Sequence, residues 1–469
     1  MQAFYWEMRE EEYAENYPEE DNLWKLLTQR AEELAEVGIT ALWLPPANKG
    51  AVGTDDVGYG TYDLWDLGEF DQKGTVRTKY GTKEELEQAL SALHDEGLEV
   101  YYDAVLNHRM GADDSELVVV KTGELAEVWT LFTFPGRDKY SGFVWQWYCF
   151  DGIDWDDLHE KAGKFLFQDK EWDKSFGEDY LMGADIDYDN ECVREEVKRW
   201  ANWIVTDIGF DGFRLDASQH VDNEFIAELI GYLQEQRNQE LFFGGEAWLE
   251  DPEQLAGYLE AVGQPQLKVF DFPLRRTFAR MRDGKLDFRW LGGKGLVNKP
   301  GYEERAVTFV DNHDTARDTE DKSISRFKYQ AYTYILMREH GVPCVFWKDY
   351  YQWGMKEGLD QLMLARQKFA YGSGYECESN DYNTYSYMRA GSDEQPNSGL
   401  VMMITQQAGS GLINKWINAR QPETTFYDYT GHVEEEVTTN QDGWGEFKVK
   451  SGAAEGWSVW VPKKMENDK

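Results

Sequence analysis

The chain has 469 residues, 41% of them apolar and 15% aromatic, which is enough for a large core and excludes wholesale disorder. Lys and Arg number 48 against 88 Asp and Glu, a formal net charge of −40, so bulk electrostatics exclude nucleic acid and anionic membrane as partners. A neutral or cationic ligand is left, and at roughly 150 residues per domain the length allows about three domains, fewer if one is an α/β barrel.

No run of about 18 apolar residues is present, so no membrane span is predicted. Residues 1–20 carry a run of Glu and no apolar segment. No secretory signal is read from them, and the expected location is the cytoplasm, with a mature secreted form as the alternative. Cys149, Cys192, Cys344 and Cys377 are far apart and form no CxxC pair. They read as free thiols, neither a zinc site nor a disulfide framework. The surplus of acid has two readings: a solvated acidic surface, or adaptation to high salt. Activity that persists or rises in molar salt is the outcome of the second, and a steep fall that of the first.

Apolar periodicity predicts a helix over 23–37, stopped by Gly38, then a strand over 39–44. A second helix covers 82–96, with Thr82 and Glu85 as a capping-box pair and Gly97 after it. A strand over 100–106 follows. Residues 109–187 are rich in Trp, Asp and Gly with little helical period, and read as an irregular, β-rich inserted domain after the third strand. A helix over 190–206 and a strand over 210–217 resume the alternation. Apolar runs at 241–247, 269–272, 306–310 and 342–347 continue it, with helical patterns at 225–236 and 327–340 among those between. Repeated strand–helix units over more than 300 residues predict a parallel α/β sheet closed into a (β/α)8 TIM barrel. From 372 onward, short runs at 399–405, 435–438 and 457–461 alternate with turn signals, predicting a C-terminal all-β sandwich. The expected domains are therefore 1–108 with 188–371, 109–187, and 372–469.

In a barrel, residues at the C-terminal ends of strands face the active site. Here those ends carry Asp103, Asn107 and His108, then Arg214 and Asp216, then Glu246, then His313 and Asp314. Arg214 and Asp216 are two apart and share a strand face. A guanidinium there is expected to lower the Asp216 pKa and keep it ionised as a nucleophile, while carboxylate neighbours hold Glu246 protonated as an acid. Two carboxyl groups with pKa values pushed apart are what glycoside hydrolysis requires. Any one of these acids alone would more economically be a strand-end cap; three acids, an Arg and two His at four strand ends are not.

These residues fall in four stretches, DAVLNH (103–108), GFRLDASQH (212–220), GEAW (245–248) and FVDNHDT (309–315). By them the sequence resembles the α-amylases of glycoside hydrolase family 13, nearest the bacterial liquefying type. LWLPPANKG (42–50), the stretch 56–82, LMGADIDYD (181–189), LARQKFAYG (364–372) and DGWGEFKV (442–449) extend the likeness over nearly the whole chain. The resemblance implies endo-hydrolysis of α-1,4-glucosidic bonds in starch, glycogen and maltooligosaccharides by retaining double displacement. Asp216 matches the nucleophile, Glu246 the general acid/base, and Asp314 the third acid that orients the sugar. Arg214, His108 and His313 match residues holding the sugar, Tyr59 an aromatic platform beneath it, and Gln219 and His220 fall at further sugar-contacting positions. Asp103 matches a structural acid.

The resemblance also implies calcium, with sodium at an adjoining position. Asn107, Asp179, Asp185 and the main-chain carbonyl of His220 match one calcium site, and Asp151 and Asp173, with Asp179 and Asp185, match further positions. Two departures stand out. Gln219 replaces a Lys that contacts sugars on the leaving-group side, and Gln406 replaces an Asp ligand, so a third, interdomain calcium site is expected to be absent. A monomer is expected. The nearest rival is a maltooligosaccharide-forming or transglycosylating relative; a non-catalytic sugar-binding protein would need one of the acids replaced, and none is.

Overall fold

The computed structural model describes residues 1–8, 22–177, 180–236, 240–317, 323–377 and 380–464. Seven parallel strands run in one sheet in chain order: Ala41–Trp43, Glu99–Ala104, Gly212–Leu215, Phe242–Gly245, Leu267–Phe270, Ala306–Phe309 and Val342–Cys344. The ring closes through the N-terminus. Gln2 makes parallel bridges to Trp43 on one side and Phe346 on the other. Its N–H donates to the Val345 carbonyl at 2.9 Å, and its own carbonyl accepts from Trp347 at 3.0 Å. This eighth stave is too short, and too close to the Glu run, for periodicity to announce it.

Helices cover the outside. Leu23–Glu36 starts at Asn22, whose side chain accepts from Lys25, and gives way to Gly38 at φ +92°. Lys83–Asp95 has both halves of the capping box between Thr82 and Glu85, a device worth about 1 kcal/mol. Glu191–Trp203 runs into a π turn, Ile204–Ile208, that ends at left-handed Gly209. Asn223–Glu235, Pro252–Val262, Phe272–Arg282, Lys328–Met337 and Lys356–Phe369 complete the set. Phe272, read in the sequence as strand, instead opens a helix, because Asp271 caps it and Pro273 suits its first turn. Among the described residues no helix is long and apolar enough to cross a membrane.

The insertion after the strand Glu99–Ala104 is more regular than its composition suggests. His108–Arg109, Ala184–Ile186, Phe150–Asp156 and Lys161–Leu166 form an antiparallel sheet, and Asp114–Val119 pairs with Leu125–Leu131 in a ribbon. The pairing of His108 with Asp185 returns the insertion to the barrel rim. At the C-terminal end, six antiparallel strands form a sheet in the order Gly374–Glu376, Thr384–Arg389, Leu400–Thr405, Trp457–Pro462, Thr425–Asp428 and Val437–Thr438. A two-stranded ribbon, Leu412–Asn418 with Trp444–Lys450, packs on it over Met388, Val401, Met403, Phe447, Val449 and Trp460. That is a sandwich, as the turn spacing predicts.

Candidate active site

The strand register sets the carboxylates level with one another. Arg214 lies opposite Asp103 on the neighbouring strand. Asp216 and Glu246 each stand one residue past their strands, and the ladder continues to them: Asp216 N–H donates to Ala104 at 2.9 Å and Glu246 N–H to Leu215 at 2.9 Å. Ala217 then turns with φ +44°, a left-handed conformation rare outside glycine, and aims its N–H at Glu246 Oε2, 3.2 Å away.

Arg214 is the hub. Its Nη1 lies 2.7 Å from Asp103 Oδ1 and 2.6 Å from Asp216 Oδ1, and its Nη2 lies 2.8 Å from Glu246 Oε2. The second oxygen of Asp103 accepts from Trp43 Nε1 at 2.9 Å and from the Tyr59 hydroxyl at 2.7 Å. All four charged groups are buried. One cation therefore serves three acids that are largely withdrawn from solvent, with only Asp216 and Glu246 keeping a small exposed edge. The sequence-based expectation that Arg214 holds Asp216 low is corrected by this count. Burial pushes the Asp216 carboxyl well up, and the Glu246 and Asp103 charges add to that against the lowering by Arg214. Asp103 is raised for the same leading reason. The cluster is thus built to hold a proton as well as to expose a carboxylate.

Asp314 reaches the same space from the strand Ala306–Phe309. Asn312 Oδ1 accepts from the N–H groups of Asp314 and Thr315, at 3.1 and 2.8 Å. Thr315 Oγ1 donates to buried Asp311 at 2.9 Å, and Asp311 is paired with Arg275 and Lys328. This anchored turn leaves the Asp314 side chain partly open, with Trp6 Nε1 3.2 Å from its Oδ1 and His313 Nε2 3.4 Å from its Oδ2. The His313 ring stacks on Tyr59 at 5.2 Å and 8°, and its Nδ1 meets Gln2 Nε2 at 2.8 Å. Tyr59 itself sits in a loop tied by Asp56, which accepts from Gly58 and Gly60; Gly58 has φ +105°. Tyr59 links the two sides: its hydroxyl donates to Asp103, and its ring stacks on His313, which lies 3.4 Å from Asp314.

His108 is buried, with Nε2 3.0 Å from the Tyr59 carbonyl and Nδ1 3.4 Å from Asn107 Nδ2. Burial lowers its pKa to about 4 and pushes His313 well below its ordinary value, so both rings are neutral at pH 7. Gln219 and His220 follow on the turn Ser218–His220, half-buried, with their side-chain Nε2 atoms 3.0 Å apart; the Gln219 carbonyl accepts from Phe176. Sequence reading missed Trp6, Gln2, Trp43, Asn312 and Thr315. Only the last two carried a signal, as an Asn and a Thr flanking the acid of a tight turn.

Two groups of oxygen donors lie where the insertion meets the barrel. Asn107 and Asp185 are joined by an Nδ2–Oδ1 hydrogen bond of 3.3 Å. Asp151, Asp173 and Asp187 bring one carboxylate oxygen each within 4.8 Å of one another. Asp187, which also binds Lys170, was not singled out by the sequence; Asp179, which was, lies outside the described residues. Asp151 Oδ2 and Asn107 Oδ1 are buried and find no hydrogen-bond partner among the described residues. Burial, then the neighbouring acids, pushes Asp151 to about 10 and Asp173 to about 8. Asn223 N–H donates to the Lys174 carbonyl at 3.3 Å and Phe176 N–H to that of Gln219 at 3.0 Å, so the turn carrying His220 adjoins the segment of Asp173. Donors that are all oxygen, buried and crowded suit a hard cation such as calcium better than zinc. Gln406 is buried, and its Nε2 donates to the Leu286 carbonyl and reaches Asn383 Oδ1 at 3.4 Å. An amide hydrogen bond ties the barrel to the C-terminal sheet there.

Two carboxyl groups set across one guanidinium at adjacent strand ends of a parallel barrel are what cleavage of a glycosidic bond asks of a protein, and the class they point to is a glycoside hydrolase. Known proteins narrow the class. The family pattern described as alpha amylase, catalytic domain, matches residues 19–357, and that described as alpha-amylase C-terminal matches 400–461. The chain is 40% identical over 496 residues to the alpha-amylase of Geobacillus stearothermophilus, covering 99% of this chain and 87% of that one. It is 36% identical over 504 residues to the cytoplasmic alpha-amylase of Escherichia coli, covering 98% of each. A crystal structure of alpha-amylase from Geobacillus thermoleovorans complexed with acarbose superposes with a TM-score of 0.63 over 94% of this chain and 92% of that one, at 18% identity, and speaks for the fold. The chain belongs to the α-amylase family, and it is a glycoside hydrolase that cleaves α-1,4-glucosidic bonds within glucan chains.

Proposed function

We propose that the chain works by retaining double displacement, with Asp216 as nucleophile, Glu246 as acid/base and Asp314 as the acid that orients the sugar. The observation that carries this is Arg214, whose two terminal nitrogens hold Asp216 and Glu246 separately. In this reading Glu246 gives its proton to the leaving oxygen while Asp216 bonds to the anomeric carbon. Glu246 then takes a proton from water, which displaces Asp216 and restores the starting state. The two carboxyl groups should stand about 5–5.5 Å apart, as retaining enzymes require. Tyr59 offers a ring to the pyranose face, held by Asp103 and His313. Neutral His108 and His313 act as dipoles beside the sugar, and Arg214 also holds Asp103. The test is the anomer first released from a maltooligosaccharide, followed by proton NMR. The α-anomer is expected; the β-anomer would overturn the reading.

Gln219 and His220 are proposed to face the leaving-group sugars. Gln219→Lys is then expected to change the chain lengths of early starch products and the KM for short oligosaccharides, with kcat changed less than about tenfold. Chain-length analysis by chromatography checks it.

Asn107, Asp185 and the His220 carbonyl, with Asp179, are proposed to hold calcium, and Asp151 and Asp173, now with Asp187, a second cation, calcium or sodium. Calcium would supply the charge that lets these buried acids ionise together and would pin the insertion to the barrel. Excess chelator is expected to lower both Tm and activity; an unchanged Tm would contradict the assignment. Since Asp151 and Asp173 take up protons far above the usual carboxylate range, protons compete with the ion. Calcium affinity, followed by titration, should therefore fall as pH drops from 8 to 5, and Asp151→Asn should weaken it at every pH.

The barrel 1–108 with 188–371, the insertion 109–187 and the sandwich 372–469 are proposed as the domains, in a monomer. A cytoplasmic location is the reading favoured by the relative so named and by four free cysteines.

A further inference from the structure

The turn that carries Asp314 is tied to a chain of buried charges. Thr315 Oγ1 accepts from Asn312 N–H and donates to Asp311 Oδ1, both at 2.9 Å, and Arg275 Nη2 reaches the same oxygen at 2.9 Å. Asp311 Oδ2 accepts from Ile324 N–H at 3.0 Å and lies 3.0 Å from Lys328 Nζ. Burial alone would raise Asp311, but Lys328 and Arg275 outweigh it and hold this carboxyl below its usual range, unlike Asp216 and Asp103. The same ammonium pairs with Asp349 Oδ1 and lies 3.9 Å over the Trp353 ring. Asp349 Oδ2 accepts from the Tyr332 hydroxyl at 2.5 Å, and that hydroxyl accepts from Phe346 N–H at 3.3 Å. One residue on, Trp347 N–H donates to the Gln2 carbonyl, and the Gln2 side chain meets His313. The bonds close a ring that begins and ends beside Asp314.

Lys328 stands where local rules argue against it. It is the first residue of the helix Lys328–Met337, the end at which the helix dipole disfavours a cation. Phe327, just before it, has φ +63°, the left-handed region that a bulky residue rarely enters. Its ammonium is also buried, between two carboxylates with no exposed surface. An opposed dipole, a strained backbone and a desolvated ion pair are a poor way to gain stability, since apolar residues of similar volume commonly do as well. What the ammonium supplies is direction. Held by Asp349 from one side, it fixes where the Asp311 carboxylate stands, and Asp311 fixes the Thr315 hydroxyl that closes the turn.

We propose that Lys328, acting through Asp311 and Thr315, is a positioning residue that sets the Asp314 carboxylate for the sugar. This rests on the reading of Asp314 as the acid that orients the sugar. Lys328 touches no sugar in this account; it acts on the reaction only by way of Asp314, so its contribution disappears once Asp314 is no longer an acid.

The experiment is a double-mutant cycle in kcat, read throughout on a maltooligosyl fluoride. Lys328→Met and Thr315→Val are each expected to lower kcat about ten- to a hundredfold, the scale of misplacing a reacting group by about 1 Å. Thr315→Ser, which keeps the hydroxyl, should retain most of kcat. In an Asp314→Asn background the first two changes should each cost less than about twofold, because no carboxylate is left to position. The same loss in both backgrounds would mean general damage and would overturn the proposal. So would near-normal kcat in Thr315→Val, which decides the matter if Lys328→Met does not fold. Near-normal kcat in Asp314→Asn alone would instead remove Asp314 from the mechanism, so the failure of that reading is seen separately, and this proposal falls with it.

Discussion

Asp216→Asn is expected to lower kcat on starch by at least about a thousandfold, the scale of losing a nucleophile, while KM changes little. The amide keeps the shape and the contact with Arg214, so the fold should survive and Tm should hold or rise. A rise follows from the electrostatics. Asp216 is buried among acids that raise its pKa, so its charge is a cost at neutral pH that the amide removes. Steady-state kinetics and a melting curve check both halves. Near-normal kcat would remove Asp216 from the mechanism.

Arg214→Lys is the second large effect. Lysine offers one charged nitrogen where Arg214 places two, and those two divide three acids between them. The variant should lose about a hundredfold or more in kcat/KM, the cost of losing one preorganised donor in a site shielded from water. Its pH profile separates loss of position from general damage. The guanidinium lowers the Asp216 carboxyl against the raising by burial, so a poorer cation raises it further. The nucleophile then ionises only at higher pH, and the acid limb of kcat/KM should move up. In the unaltered enzyme that limb should already lie above the ordinary Asp value of about 4. An acid limb unmoved in Arg214→Lys would show that Arg214 does not set the ionisation of Asp216.

The barrel was legible because its strands are buried on both sides and its helices carry one apolar face, which leaves a strong period in the sequence. The cap at Thr82 and the stop at Gly38 were equally readable, since each uses a residue type for its own local chemistry. The first stave was not: Gln2 pairs through its backbone, and its neighbours in sequence do not show it. The insertion looked irregular because its strands follow one another across ribbons with bulges rather than in clean alternation.

In the site, residue types at strand ends located the acids, but not how many share one cation. Asp216 and Arg214 are two apart in sequence; Asp103 and Glu246 come from neighbouring strands, and only the register puts all three on one guanidinium. Burial of the cluster, with the charges of Glu246 and Asp103 added, is why the expected lowering of Asp216 turned into a rise. Trp6 and Asp187 illustrate the same limit, since each meets its partners only after the chain has folded.

The most direct test of the mechanism is chemical trapping. Glu246→Gln, which can form but scarcely resolve a glycosyl–enzyme bond, is incubated with a maltooligosyl fluoride, digested and read by mass spectrometry. The account predicts a stable oligosaccharide adduct on the Asp216 carboxylate. An adduct on Asp314, Asp103 or any other residue would contradict it.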